Sequence, residues 1–184
     1  MEWLKRFSIL CLISQQLYAH QIQLGQQLPK IALPEAEIQL SKTGEPVYSN
    51  WSTEQLLGKV RVIQVMAGRS HAKELNDPLM KLITKQHFDA ALYQTTTIIN
   101  LDDAIWGTGM IVRGKAESSK ESYSWSSIVI DEEGKVIREW QLAEKNSAII
   151  VQDTKGKVLF MQEGKLNEQQ QQTVITLVKQ QLAR

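Results

Sequence analysis

Cysteine is nearly absent from this chain: Cys11 is the only one in 184 residues. One thiol cannot build a disulfide framework, and it cannot make a Cys-x-x-Cys redox pair. Histidine is scarce too. His20, His71 and His87 lie far apart, with no His-x-x-x-His spacing and no cysteine cluster, so no metal site and no cofactor is expected. No excess of one charge exists, since 21 basic and 20 acidic residues leave a formal charge of +1. That balance argues against a nucleic-acid partner, which would call for a basic face. Long apolar runs are also missing. The longest candidate, residues 7–13, falls far below the roughly 20 residues of a membrane span, so an integral membrane protein is not expected.

What is present begins with a leader. Lys5 and Arg6 precede the apolar residues 7–13, and a short polar stretch leads to Leu17-Tyr18-Ala19. This reads as a secretory signal over residues 1–19, with residues 20–184 as the mature domain in the periplasm. Leu10 stands where a lipoprotein signal needs a small residue, so Cys11 is not expected to carry a lipid. Removal of residues 1–19 takes away Glu2, Lys5, Arg6 and the cysteine, leaving 19 basic and 19 acidic residues. Such a chain is held by packing alone, and 42% apolar residues supply a core.

Along the mature part, residues 25–33 read as extended. Residues 37–40 alternate polar and apolar, and a turn at Thr43-Gly44-Glu45 returns the chain through Val47 and Tyr48, a hairpin. Ser52 is placed to cap a short turn that Gly58 stops. The apolar run 60–66 suits a strand covered on both faces. Residues 70–86 carry Leu75, Leu79, Leu82 and Ile83 at helical spacing, with Pro78 predicting a kink or early break. Residues 93–100 form a second β-rich run, followed by a loop with Asp102, Asp103, Gly107 and Gly109 and a helix over 110–120. Two similar stretches, 128–137 and 148–161, each read as a hairpin around a glycine turn. Asn167 caps a final helix with Val174, Leu177, Val178 and Leu182 on one stripe, and the glutamine run 169–172 reads as solvated surface. Strands alternating with helices predict one α/β domain with a mixed sheet.

This order is similar to thioredoxin-like proteins of the peroxiredoxin and thiol-reductase type. The carriers are Gly25-x-x-x-Pro29-x-Ile31-x-Leu33, Gly44-Glu45-Pro46-Val47 with Gly58-Lys59-Val60, and Asp153-x-x-Gly156-x-Val158 with Gly164. More specifically, several stretches resemble the YtfJ family of periplasmic proteins. They are Gly58-Lys59-Val60-Arg61-Val62, Ala67-Gly68-Arg69, residues 93–98 (Tyr-Gln-Thr-Thr-Thr-Ile), Asp102-Asp103-Ala104-Ile105, Gly107-x-Gly109-Met110 and Trp140-Gln141-Leu142. The resemblance implies a thioredoxin-like mixed sheet flanked by helices, with an N-terminal β-hairpin extension, of unassigned activity. It carries over no catalytic residue.

In redox members the thiolate sits where the first central strand meets its helix. By strand-to-helix offset Ser70 stands near the first cysteine position and Lys73 near the second, while Asn146-Ser147-Ala148 lacks the proline usual beside them. Dithiol exchange and peroxidase chemistry are therefore not expected. The leading reading is a module that binds an envelope protein or a small ligand through Arg69, Ser70, His71, Lys73, Asp102, Asp103, Trp106 and Ser147. A plainer reading is preferred for several of these residues: Arg69 pairs with Asp102 or Asp103, Ser70 caps the helix, and His71 is solvated. The alternative function is a cysteine-free hydrolase with His71 as base, oriented by Asp102 or Asp103, and Ser70 as nucleophile. No nucleophile elbow surrounds Ser70, and fold analogy gives this alternative no support. The two adjacent carboxylates point apart on most backbones, and His20 at a new N-terminus offers only a generic copper chelate. Trp51, Trp125 and Trp140 are expected in core or edge packing. For Trp106 packing is set slightly ahead of exposure, and exposure would favour a protein or peptide partner.

Overall fold

The computed structural model describes residues 21–184; the predicted signal lies outside the described residues. Its frame is a seven-stranded sheet in the order β2-β1-β5-β4-β3-β6-β7. The strands are β1 (Ala32–Leu40), β2 (Pro46–Ser52), β3 (Val60–Ala67), β4 (Tyr93–Asn100), β5 (Ser127–Asp131), β6 (Ser147–Gln152) and β7 (Val158–Glu163). β3, β4 and β5 run parallel; β1–β2 and β6–β7 are antiparallel hairpins, one on each side. The N-terminal hairpin extension and the mixed sheet expected from sequence are both present.

The helices are α1 (Ser70–Lys85), α2 (Gly109–Ser122), α3 (Lys135–Trp140) and α4 (Glu168–Leu182). β3 is buried along its whole length, because both faces are covered. On one face Val60 and Val62 pack with Leu79 and Ile83 of α1 and Val174 and Val178 of α4. Further along that face, Ile128 and Ile130 meet Ala116 of α2. On the opposite face Ile63, Val65, Ile98 and Val129 pack under Leu28, Ile31, Trp51, Val136 and Trp140. Crossovers from β3 to β4 and from β4 to β5 step in one direction, so α1 and α2 lie on the same side.

Three expectations change. Residues 128–137 are not a hairpin: β5 is followed by α3. β5 already has β1 and β4 as neighbours, which leaves no edge for a returning strand. The helix is nucleated instead by Asp131, whose carboxylate accepts from the N–H groups of Lys135 at 3.0 Å and Val136 at 2.7 Å. Of the kink or early break expected at Pro78, the break does not occur, because α1 continues through it. Pro78 and Glu74, whose carbonyl loses its helical donor, are both exposed, so that oxygen is on the solvent side while Leu79 and Ile83 hold the buried side. Finally, the glutamine run is not all surface. Gln171 is buried, donating to the Leu166 carbonyl at 2.9 Å, and Gln170 closes a capping box with Asn167.

The buried polar residues cluster at the two ends of the central strands. At the amino ends, the Arg61 guanidinium donates to the carbonyls of Leu56 (2.8 Å) and Gln55 (2.5 Å), to Thr96 (3.1 Å) and to Gln94. Burial lowers the Arg61 pKa to about 10, and the Glu37 carboxylate acts against that shift. Glu37 itself accepts from the Ser127 hydroxyl at 2.6 Å and from Gln55 at 3.3 Å.

Asp131→Ala removes both acceptors of the first turn of α3. Its expected cost is about 2–3 kcal/mol, as for a lost cap that leaves buried N–H groups unpaired. Thermal unfolding reads this as a fall in Tm on the order of 5–10 °C. An unchanged Tm contradicts the capping role.

Candidate functional site

Open α/β sheets place ligand sites beyond the carboxyl ends of their strands. Here three loops meet at that end. Gly68, between β3 and α1, donates its N–H to the Asn100 carbonyl at 2.8 Å. A Cβ at position 68 would lie 3.0 Å from that oxygen, a tight contact that favours glycine. From the other side comes Gly134, with φ +66 and no room for a side chain beside Asn100 Oδ1.

Asn100 is buried between them and organises the loop after β4. Its Oδ1 accepts from the Asp102 N–H at 3.0 Å, and its Nδ2 donates to Asp103 Oδ2 at 3.2 Å. The same carboxylate oxygen accepts from the Lys145 N–H at 2.8 Å. Lys145 adopts a left-handed backbone, φ 55, uncommon for a side chain of its size. Asp103 is 8% exposed and is spent on these internal bonds. The loop is also tied through its backbone: Leu101 N–H to the Asp131 carbonyl at 2.9 Å and Ala104 N–H to the Leu101 carbonyl at 2.9 Å. Arg69 adds a last tie by donating from Nε to the Asp103 carbonyl.

The surface of this platform is apolar. Ile105 comes directly after it and is exposed, and Trp106 is 98% exposed. The Thr108 hydroxyl closes the turn on the Ile105 carbonyl at 2.6 Å, after which α2 opens with Met110, 86% exposed, and exposed Ile111. α2 is anchored by the Arg113–Glu132 ion pair and by the Tyr48 hydroxyl donating to Glu117 at 2.6 Å. Burial, helped by that bond, raises the Tyr48 pKa.

The residues singled out by sequence separate into three groups. Arg69, Asp102 and Asp103 do gather, but Arg69 meets Asp103 through its carbonyl rather than its carboxylate. Ser70, His71 and Lys73 line the exposed first turn of α1. Ser70 does not cap the helix: it is the first helical residue, and Arg69 holds the N-cap position without a side-chain bond. Lys73 pairs with Asp77 at 3.4 Å on the same helix. Among the described residues His71 makes no hydrogen bond to Asp102, Asp103 or Ser70, so the hydrolase constellation is not assembled.

Ser147 stands apart and is not a surface residue. It is buried, and its hydroxyl accepts from Asn76 at 3.1 Å and from Gln64 at 3.4 Å. Asn76 also donates to the Gly164 carbonyl at 3.0 Å and accepts from Leu166 at 3.2 Å, so it locks α1 to the β7–α4 connection. Trp106 reverses the expectation of packing: among the described residues nothing covers the loop that the Asn100–Asp103 bond holds at the carboxyl end of the sheet. Trp51 and Trp140 are core, while Trp125 is half exposed, edge-on to Tyr123 at 5.5 Å.

Sequence reasoning did not single out Asn100, Asn76, Lys145, or the apolar set Ile105, Met110 and Ile111. A signal for the last existed. Four large apolar residues stand at 105, 106, 110 and 111, where a short loop and a helix start cannot bury them all. No group of three or more His, Cys, Asp or Glu residues suited to a metal occurs among the described residues. No described helix is long and apolar enough to cross a membrane.

Residues 22–181 match the family model described as "Bacterial protein of unknown function (YtfJ_HI0045)". This chain belongs to that family. A relative from Haemophilus influenzae, described as an uncharacterized protein, is 46% identical over 168 residues, covering 91% of each chain. Another YtfJ_HI0045 relative, the uncharacterized protein YtfJ of Escherichia coli K12, is 40% identical over 177 residues, 95% of this chain and 96% of that one. Solved structures fix the fold as thioredoxin-like. A thiol-disulfide isomerase from Corynebacterium glutamicum is similar with a TM-score of 0.57 at 17% identity, covering 87% of this chain and 97% of that one. The thioredoxin domain of a thiol-disulfide oxidoreductase from Bacteroides vulgatus gives 0.52 at 15% identity, over 85% and 99%. This member has the fold with a single cysteine in its whole sequence, so it contains no Cys-x-x-Cys pair.

Trp106→Ala is expected to change unfolding free energy by no more than about 0.5 kcal/mol, as for an exposed side chain without partners. Trp140→Ala should cost about 3–5 kcal/mol, as for a large core residue. Urea denaturation of both variants checks the contrast, and comparable losses contradict the exposure of Trp106.

Proposed function

We propose that this chain is an exported, periplasmic docking module that binds a protein partner on the Ile105–Trp106–Met110–Ile111 face and performs no dithiol–disulfide exchange. The supporting observation is a tryptophan displayed almost completely to solvent from a loop fixed by buried hydrogen bonds. Exposing so much apolar surface in one segment is costly to solubility, and patches of this kind mark interaction sites. Fixing the loop in advance lowers the ordering cost that binding would otherwise carry.

The rim defines the partner's chemistry. Arg69 is half exposed and Lys145 is exposed, and both are tied to the base of the Ile105–Trp106 loop through Asp103, Arg69 by its Nε and Lys145 by its backbone N–H. The occupant is an envelope-protein segment with a large apolar side chain to cover Trp106 and a carboxylate beside it to face these cations. Burying one tryptophan, about 200 Å² of mostly apolar surface, is worth about 5 kcal/mol in gross transfer free energy, enough to anchor a short segment.

The test is cross-linking in envelope extract, followed by affinity measurement with the captured protein. Trp106→Ala should weaken binding about 30-fold or more, the behaviour of a hot-spot aromatic, and Arg69→Ala by a smaller factor. Capture that is indifferent to Trp106 contradicts the docking reading. Insulin reduction with a dithiol donor should not exceed the uncatalysed rate, and turnover by the purified mature chain contradicts the non-redox part.

A further inference from the structure

We propose that Met110 is a site of peroxide oxidation, and that its sulfoxide makes the Trp106 face polar and closes it to an apolar partner; the closing of the face rests on the docking reading above. The sequence holds five methionines. Of the four described, Met66 is buried against Ala72 and Ile99. Met80 and Met161 are half-buried, each packed against a core cluster. Met110 alone among them has its side chain open to solvent, 86% exposed, in the first turn of α2 and four residues from Trp106.

Thioether oxidation depends on access of the oxidant to sulfur, so this inequality in exposure sets the order of reaction. The Met110 sulfur lone pair attacks one oxygen of hydrogen peroxide. The S–O bond forms as the O–O bond breaks. Sulfur gives up two electrons, and the second oxygen leaves as water with both peroxide protons. No thiol and no metal takes part. The product carries a strong hydrogen-bond acceptor on the exposed apolar segment that bears Trp106, and an apolar partner would have to strip its water without offering a donor.

The experiment exposes the purified protein to limiting hydrogen peroxide and follows each methionine by peptide mass spectrometry. Met110 should gain oxygen about tenfold faster than Met66, and faster than Met80 and Met161. On a phenyl column the oxidised protein should elute earlier, while Met110→Leu should keep its retention through the same dose. Oxidation of Met80 or Met161 ahead of Met110, or an equal shift in Met110→Leu, overturns the proposal. Failure of the docking reading looks different: Trp106-dependent cross-linking is absent before any oxidation, with the Met110 kinetics and column shift unchanged. Equal cross-linking before and after Met110 is oxidised overturns the closing effect alone.

Discussion

The Asp103 carboxylate is the constraint on which the loops at the carboxyl end of the sheet depend. It is buried, which is expensive for an anion, and it is stabilised by donors from Asn100 on the preceding strand and from the Lys145 backbone across the α3–β6 turn. Those two bonds fix the loop after β4 relative to three elements at once. The left-handed backbone at Lys145 and the two glycines against Asn100 are consequences of the same packing. Ile105 and Trp106, just downstream in the chain, lie exposed beyond this tied segment.

The opposite end of the sheet obeys the same logic without displaying anything. Arg61 and Glu37 are both buried, and each is satisfied mainly by neutral donors or acceptors rather than by a direct ion pair. Lys120, whose pKa burial lowers, closes that end by donating to the carbonyls of Ser124 and Ser126. Buried charges handled in this way define one arrangement of the strands and loops around them. A third knot, Asn76 with Ser147 and Gln64, joins α1 to β6 where the sequence suggested a binding surface. A chain whose one cysteine lies in the predicted leader therefore secures its connections with buried amides and carboxylates instead of disulfides.

Much of the fold was legible because the strongest signals were local. The continuous apolar run of β3, the Asn167 cap of α4 and the alternation in β1 each reported their element directly. The β5–α3 junction was misread because Asp131-Glu132-Glu133-Gly134 suits a hairpin turn as well as a helix start. Only the position of β5 between β1 and β4 decides between them, and that is a long-range fact. The site was legible only in outline. Arg69, Asp102, Asp103, Trp106 and Ser147 were all placed at the correct end of the sheet, where Ser147 pairs with Met66, but Ser147 faces inward, since the partners that bury it lie 71 and 83 residues away in sequence. Periodicity cannot show whether a polar side chain faces water or another polar group indoors.

Thioredoxin-like architecture is retained here without a Cys-x-x-Cys pair. The strand ends that carry chemistry in thiol enzymes carry a hydrogen-bonded loop in this chain, on which Asp102, Ile105 and Trp106 are exposed. The most direct test is amide hydrogen exchange of Asp102, Ala104 and Lys145 in the native protein. Protection comparable with the central strands is expected, with Lys145 losing it in Asp103→Ala. Exchange of all three at the rate of an open loop would contradict the role given to the Asp103 carboxylate.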